Sequence, residues 1–176
     1  MTAADVSRLL RIDDAAALTR LVTDNRANFA PWEPLRDPDF YTVDGQRAVI
    51  SSQLDRYEFG LTLPHVILDE HGEMTGRITL DGITRGAFQS CTIGYWVALE
   101  NNGRGLATAA VTRMMQIAFD ELGLHRIEAG TLVDNFRSQR VLAKNGFIQY
   151  GRAPQFLKIA GRWQDHLLFQ RLNPAA

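Results

Sequence analysis

The periods of apolar and polar residues along the 176-residue chain predict its secondary structure. Alternation with a period of two predicts strands, whereas apolar residues spaced three and four apart predict helices. Strand patterns cover residues 7–12, 64–69, 74–81, 92–98, 125–132, 147–157 and 163–172. Helical patterns cover about 14–25, 44–57, 107–122 and 135–144, and residues 29–34 are expected to be irregular. The predicted order is therefore β-α-α-β-β-β-α-β-α-β-β.

Turn and cap residues separate these elements. Asp44 is placed to cap the second helix, residues 70–73 form a hairpin turn signal, and Gly123 ends the third helix. Because antiparallel hairpins come first and a single β-α-β unit follows, the order predicts a mixed α/β fold with one crossover. No repeat or linker divides the chain, so a single domain over residues 1–176 is expected.

Composition narrows the class of protein without indicating a reaction. The chain is 45% hydrophobic and 22% charged with a net charge of -1, and it lacks the basic excess of general nucleic-acid binders. No apolar run reaches the roughly 18 residues of a membrane span, and the N-terminus shows no signal-peptide pattern. A single cysteine, Cys91, excludes internal disulfides and a cysteine-based zinc site. A cytoplasmic location is expected.

The most informative segment covers residues 94–108, where a strand pattern leads through a loop containing Gly103 and Gly105 into the third helix. The first turn of a helix has unpaired N–H groups at the positive end of its dipole, so a small-residue loop there lets the backbone approach a phosphate. A plain strand-to-helix turn and a dinucleotide-binding loop with Glu128 at the ribose are the alternatives. Thr108 stands where the dinucleotide loop needs its third glycine. A Walker loop is excluded because the chain contains no Gly-Lys-Ser/Thr sequence.

These elements and motifs together resemble the GCN5-related N-acetyltransferases (GNAT), and more narrowly their RimJ/RimL-like ribosomal-protein alanine acetyltransferase branch. The motifs lie at 26–34, 94–96, 102–107, 135–147 and 161–166. In the acetyl-CoA signature, Asn102 replaces the usual Gln or Arg. The resemblance covers residues 9–172 and implies one twisted, mostly antiparallel sheet with flanking helices. It also implies acetyl-CoA as the acetyl donor, without a metal.

The resemblance further implies where coenzyme A binds. The strand ending near Leu99 is expected to splay from the strand starting near His125, and pantetheine to bond to the backbone between Trp96 and Leu99. The implied cofactor-binding residues are Trp96, Val97, Leu99, Asn102, Gly103, Arg104, Gly105, Leu106, Ala107, Thr108, Asn135, Ser138 and Lys144. The structural alternative for the Asn135 and Ser138 pair is a helix cap and a surface serine.

Ser138 is the implied general acid, because its hydroxyl would protonate or stabilise the departing thiolate. A thiol pKa near 8.5 already makes a tolerable leaving group, so a positioned acid adds at most the usual ~10² to 10⁴-fold. The general base is open, since some relatives carry a glutamate where this chain has Leu157. Glu100 and Tyr95 complete the predicted catalytic set with Ser138, and Glu33 and His65 are further base candidates.

The absence of a direct base favours an acceptor amine that is partly neutral at pH 7. A protein α-amine is roughly a tenth neutral at that pH, whereas a lysine amine is far below one per cent neutral. We therefore expect direct transfer, in a ternary complex, to a primary amine, foremost a protein N-terminal α-amine of ribosomal-protein type. A small-molecule amine acetyltransferase and a non-catalytic acetyl-CoA-binding module are the alternatives. Homodimerisation is expected by family analogy alone.

Other chemistry-bearing residues are expected to be structural. Cys91 has no recognisable partner that would lower its thiol pKa, so strand packing is expected rather than a nucleophile. His125 and His166 have no second ligand at metal-binding spacing. Trp32 and Trp163 are expected in the core or in a pocket wall.

Overall fold

Across residues 6–175, which the computed structural model describes, seven strands form one open sheet in the order β1-β2-β3-β4-β5-β7-β6. The strands are β1 (Ser7–Leu9), β2 (Thr62–Leu68), β3 (Met74–Thr84), β4 (Ser90–Val97), β5 (Arg126–Leu132), β6 (Ile148–Ile159) and β7 (Arg162–Leu172). The helices are α1 (Ala15–Asp24), α2 (Arg26–Phe29), α3 (Val43–Glu58), α4 (Leu106–Gln116) and α5 (Phe136–Lys144). Strands β4 and β5 are parallel, and the other neighbours are antiparallel. The predicted mixed α/β fold with one crossover is confirmed.

Helices cover the sheet on two faces. On one face, α4 buries Leu106, Ala110, Val111 and Met114 in the larger core cluster, which also contains Leu142 of α5. These α4 positions recur at helical spacing, which is why the periodicity predicts them. On the other face, a smaller cluster joins residues of α1 and α3 to the strands, namely Leu10, Ala15, Leu18, Ile50 and Val66. No helix within residues 6–175 is long and apolar enough to cross a membrane.

The start of α3 corrects one expectation. Thr42, not Asp44, is the N-cap, and its hydroxyl accepts a hydrogen bond from the N–H of Gly45 at 3.0 Å. That N–H is the third of the helix, which a capping side chain satisfies. Asp44 lies inside the first turn, where it pairs with Arg47. Its negative charge there interacts favourably with the positive end of the helix dipole. The segment predicted to be irregular also begins within the short helix α2, which ends at Phe29.

Strands β4 and β5 separate after a short parallel contact. They pair only over residues 90–92 of β4 and 126–128 of β5. Beyond this point β5 continues against β7 as far as Leu132, while β4 continues against β3 as far as Val97. The expected splay is therefore present, and it leaves a gap between the C-terminal ends of the two central strands.

Candidate active site

The loop between β4 and α4 has a conformation that glycine favours. Gly103 and Gly105 have φ angles of 81° and 82°, a left-handed conformation that glycine adopts without strain. Gly105 is the N-cap of α4. A Cβ at either glycine would meet nothing within 4 Å among the described residues, so the backbone is open to an approaching ligand.

A groove of about 520 Å³ lies in front of this loop. One wall is the loop and the first turn of α4, whose N–H groups lack partners within the helix. The other wall carries three cations of α5, Arg137, Arg140 and Lys144, together with Val141. Positive side chains opposite unpaired N–H groups fit a ligand with several phosphates.

Arg137 and Arg140 are functional candidates that sequence reasoning missed, since it named only Lys144. The signal was present, because residues 137, 140, 141 and 144 are spaced three, four and seven apart on α5. Such residues share one helix face. The groove confirms that shared face, because it is lined by all four.

The groove brings together many of the predicted cofactor residues. Its walls include Val97, Asn102, Gly103, Gly105, Leu106, Ala107, Thr108 and Lys144. Arg104 instead donates to Asn101 at 2.8 Å and pairs with Glu70 in the β2–β3 turn. Trp96 packs its ring against Phe29, with 5.0 Å between ring centroids. Neither Arg104 nor Trp96 lines the groove.

The N–H of Leu99 is also engaged within the protein. It donates to Oδ1 of Asn25 at 2.8 Å, so it is occupied in this structure. Asn25 is buried at the end of α1. This contact ties the end of the α1 helix to the turn that follows β4.

Asn135 and Ser138 begin α5 beside the gap. Oδ1 of Asn135 accepts from the N–H of Ser138 at 3.1 Å, which is the helix cap of the structural alternative. Ser138 is not a free surface serine, because its Oγ lies 2.9 Å from the hydroxyl of Tyr95. The Ser138 carbonyl, 3.2 Å from the Tyr95 hydroxyl, is the alternative acceptor for the single hydrogen of that hydroxyl. Sequence reasoning predicted Tyr95 and Ser138 separately, and the fold pairs them.

The environment of Tyr95 favours a role for its hydroxyl as a proton donor over a role as a general base. Burial raises the pKa of Tyr95 to about 12, although the Ser138 hydrogen bond opposes this shift. At neutral pH the phenol is therefore protonated. A Tyr95 O–H that donates to Ser138 Oγ leaves the serine hydrogen free for a group in the gap.

The two other base candidates on this side stand apart from the pair. Glu100 is exposed in a short turn after β4 and makes no hydrogen bond with any residue that the structure describes. His65 is buried on β2, with Ile78 of β3 between it and Tyr95 in register. Its Nδ1 lies 3.1 Å from Ser7 Oγ, and burial lowers the pKa of His65 to about 4.

On the opposite face of the sheet, residues 30–36 form a strap that reaches the β6–β7 turn. The carbonyl of Glu33 accepts from the N–H of Ala160 at 2.8 Å, and Leu35 packs against Gly161. The strap and the hairpin border a cleft of about 800 Å³. It is lined by Ala30, Pro31, Trp32, Leu132, Val133, Asp134, Arg152, Ala160, Arg162, Trp163, Gln164 and Asp165.

Trp32 and Trp163 are wall residues of this cleft and not core residues. They are 44% and 61% exposed. Leu157, which the resemblance sets in place of a glutamate, is 47% exposed. Burial raises the pKa of Glu33, and Arg36, whose Nε lies 3.6 Å from the Glu33 carboxylate, opposes that shift.

Cys91 and His166 have the buried surroundings of structural residues. Cys91 is 2% exposed, and burial raises the pKa of its thiol to about 12, as strand packing predicts. His166 is buried, with its ring centroid 5.5 Å from that of Phe156. Among residues 6–175, no group of three or more His, Cys, Asp or Glu side chains is arranged to hold a metal ion.

Comparison with known proteins decides the family. A family model described as an acetyltransferase (GNAT) domain matches residues 7–148. The chain belongs to the GNAT acetyltransferases. Similar relatives are named N-acetyltransferases, so this GNAT chain is an acyltransferase that uses acetyl-CoA as acetyl donor.

Three relatives show the extent of the similarity. The probable N-acetyltransferase YjcK of Bacillus subtilis is 39% identical over 95% of this chain and 93% of its own. The [ribosomal protein uS5]-alanine N-acetyltransferase of Escherichia coli is 31% identical over 96% of this chain and 88% of its own. RimJ of Mycobacterium smegmatis, solved in complex with CoA-disulfide, superposes with a TM-score of 0.91 at 36% identity, covering 94% and 80%. The RimJ/RimL-like resemblance is thereby confirmed.

Proposed function

We propose that this enzyme transfers an acetyl group from acetyl-CoA directly to the N-terminal α-amine of a protein, of the ribosomal-protein type. The observation that carries the proposal is the match along 96% of the chain to the E. coli enzyme named for alanine acetylation of ribosomal protein uS5. The cleft chemistry supports it. The N–H of Gln155 at 2.9 Å and the guanidinium of Arg152 at 2.7 Å both donate to the Asp165 carboxylate, which lowers the pKa of Asp165 and makes it a poor base. An α-amine needs less help from a base than a lysine does.

The donor site follows from the groove. We assign the phosphates of coenzyme A to the N–H groups of residues 103–108 and to Arg137, Arg140 and Lys144, and the pantetheine arm to Val97. When bound, acetyl-CoA supplies a thioester whose carbonyl carbon accepts the amine. The chain orients the two substrates and supplies the proton donors. The cofactor-binding roles of the other residues predicted from the sequence remain predictions.

Ser138 and Tyr95 are the proposed acid side of the reaction. The Tyr95 O–H donates to Ser138 Oγ, and the Ser138 hydrogen then points to the departing sulfur. The new C–N bond forms as the C–S bond breaks, and the sulfur takes the electron pair and the Ser138 proton. Tyr95 passes its proton to Ser138 Oγ, and solvent water restores the proton of Tyr95. The amine proton leaves to water, directly or by way of Glu33 or Glu100. A positioned acid of this kind contributes ~10² to 10⁴-fold.

Two alternative functions each have one structural observation in their favour. A small-molecule amine acceptor is favoured by the cleft volume of about 800 Å³, which lies in the range of small-molecule sites. A non-catalytic acetyl-CoA-binding module is favoured by the exposed Leu157. A single domain over residues 1–176, a cytoplasmic location and homodimerisation stay predictions beside the main proposal.

One assay separates the three functions. Thiol release from acetyl-CoA is followed with peptides that start with alanine or serine, with polyamines and with aminoglycosides. The thermal shift caused by acetyl-CoA is measured in parallel. We expect turnover with peptides and loss of turnover when their N-terminus is blocked. Turnover with polyamines or aminoglycosides alone would support the small-molecule alternative. A thermal shift without any turnover would support the binding module.

A further inference from the structure

The side chain of Asn145 joins the two walls of the groove in front of the β4–α4 loop. Its amide nitrogen, Nδ2, donates to the carbonyl of Thr108 at 3.3 Å and to the carbonyl of Val141 at 2.9 Å. Thr108 belongs to the first turn of α4 and Val141 to the last turn of α5, and both residues line the groove. One amide therefore holds the backbone of both walls.

Both donors and the acceptor oxygen of this amide are engaged. A side-chain amide has two N–H donors, one for each of the two wall carbonyls, and its oxygen accepts. Oδ1 of Asn145 accepts from the hydroxyl of Thr112, one turn further along α4, at 2.7 Å. Because Asn145 is only 9% exposed, losing these partners would leave buried polar groups without compensation.

Within residues 6–175, no other hydrogen bond links α4 to α5 or to the residue that ends it. Elsewhere both helices contribute apolar side chains to the larger core cluster, such as Val111 and Leu142. Apolar contacts are non-directional, so they fix the distance between two backbones less tightly than hydrogen bonds do. The separation of the two walls therefore depends on Asn145.

This separation matters for a ligand with several phosphates. The phosphates are assigned to the N–H groups at the start of α4 on one side and to Arg137, Arg140 and Lys144 on the other. Hydrogen bonds of this kind have donor–acceptor distances in a narrow range, about 2.7 to 3.2 Å. A wall displaced by about 1 Å would lose its contacts while the opposite wall kept them.

We propose that Asn145 is a positioning residue that sets the distance between the two phosphate-binding walls of the groove. It does not line the groove itself and acts through Thr108 and through the last turn of α5. This inference rests on the assignment of the coenzyme A phosphates to the groove, which is part of the proposed function. Loss of the amide weakens donor binding and leaves the chemical step unchanged.

The affinity for CoA, measured by calorimetry, tests this role without any acceptor. In Asn145→Leu the side chain keeps its size and loses its hydrogen bonds, so we expect Kd for CoA to rise about tenfold. The salt dependence of Kd should weaken, because fewer phosphate contacts form. With an acceptor that is turned over, KM for acetyl-CoA should rise by the same factor, and kcat should stay within about twofold.

Thr112→Val keeps the test decisive if Asn145→Leu folds poorly. The exposed Thr112 loses its hydroxyl contacts with Asn145 and with the Thr108 carbonyl, and Kd for CoA should rise about threefold. In the double variant, CoA should bind no more weakly than in Asn145→Leu alone, because both changes remove the same bond.

Thr19→Val on α1 is the matched control for Thr112→Val. The hydroxyl of Thr19 donates to the carbonyl of Ala15, four residues earlier in the same helix, at 2.7 Å. It has no hydrogen-bond partner on a second helix in the part of the chain that the structure describes. Thr19→Val should therefore leave Kd for CoA unchanged.

The outcomes separate the positioning role from the assignment of the groove. An unchanged Kd in both Asn145→Leu and Thr112→Val, with weaker binding in Lys144→Gln, would overturn the positioning role while the groove assignment stands. Equal rises in Thr112→Val and Thr19→Val would overturn it too, and so would a fall in kcat at an unchanged KM for acetyl-CoA. An unchanged Kd in Lys144→Gln as well would overturn the phosphate assignment and the positioning role with it.

Discussion

The groove in front of the β4–α4 loop, proposed to bind the donor, and the cleft between the strap and the β6–β7 hairpin, proposed to bind the acceptor, differ in how the chain builds them. The groove comes from residues 97–108, which are contiguous, and from one face of α5. The cleft combines residues 30–32, 132–134, 152, 160 and 162–165, which only the complete sheet brings together. A ligand bound by backbone groups needs a loop conformation, and a short sequence can encode that. An acceptor bound by side chains from distant segments depends on tertiary contacts, such as the one between Glu33 and Ala160.

The largest expected effect comes from breaking the backbone part of the donor groove. Gly105→Val places a β-branched residue at a φ of 82°, which disfavours the loop conformation. We expect the affinity for acetyl-CoA, measured by calorimetry, to fall about hundredfold as the N–H groups lose their alignment. Gly123→Val is the control, because it has a φ of 63° beyond the far end of α4. Equal affinities in Gly105→Val and the unchanged enzyme would contradict a backbone-built site.

The next effect separates chemistry from binding on the donor side. Ser138→Ala removes the proposed proton donor, so kcat should fall about hundredfold while KM for acetyl-CoA changes little. Tyr95→Phe should lower kcat by about tenfold, because Ser138 loses the 2.9 Å contact that orients it. Both are measured by thiol release with an alanine-starting peptide. An unchanged kcat in Ser138→Ala would remove this residue from the mechanism.

Replacing one cationic residue in the groove and one in the cleft wall compares the two regions directly. Lys144→Gln should raise KM for acetyl-CoA about five- to tenfold and weaken its salt dependence, with KM for the peptide unchanged. Arg162→Gln, in the cleft wall, should change KM for the peptide and leave the donor KM unchanged. The test is a crossed set of steady-state measurements at two salt concentrations. If both variants changed the same KM, the division into donor and acceptor regions would be wrong.

The smallest effect is expected at Cys91. The thiol is buried and its pKa is about 12, so it stays protonated and unreactive between pH 7 and 9. Cys91→Ala should keep kcat/KM within about twofold, since direct transfer needs no thiol nucleophile. Treatment of the unchanged enzyme with an alkylating reagent at pH 8 provides a second measurement. Rapid inactivation by that reagent would show that the thiol takes part after all.

The sequence predicted the fold and the position of the glycine loop before α4 because their signals are local. Periodicity placed the strands and helices, and the positive φ angles required at Gly103 and Gly105 follow from residue type. The spacing of Arg137, Arg140 and Lys144 was equally readable, although only the last was identified in advance. The N-cap of α3 was misplaced because Thr42 and Asp44 both have capping side chains, and only backbone geometry distinguishes them.

The acceptor side could not be predicted to the same depth, because its contacts join residues far apart in the chain. The N–H of Ala160, in the β6–β7 turn, bonds to the carbonyl of Glu33, in the strap near the other end of the chain. Burial raises the pKa of Glu33, whereas the nearby Arg36 opposes that shift. That competition is decided by packing and leaves no local pattern in the sequence.

A single peptide with two amines tests the central claim most directly. The peptide begins with alanine and carries an internal lysine, and the enzyme acetylates it with acetyl-CoA at pH 7. Mass spectrometry of the fragments then locates the acetyl group. The account predicts acetylation of the α-amine and an unmodified lysine. Acetylation of the lysine with a free α-amine would contradict it.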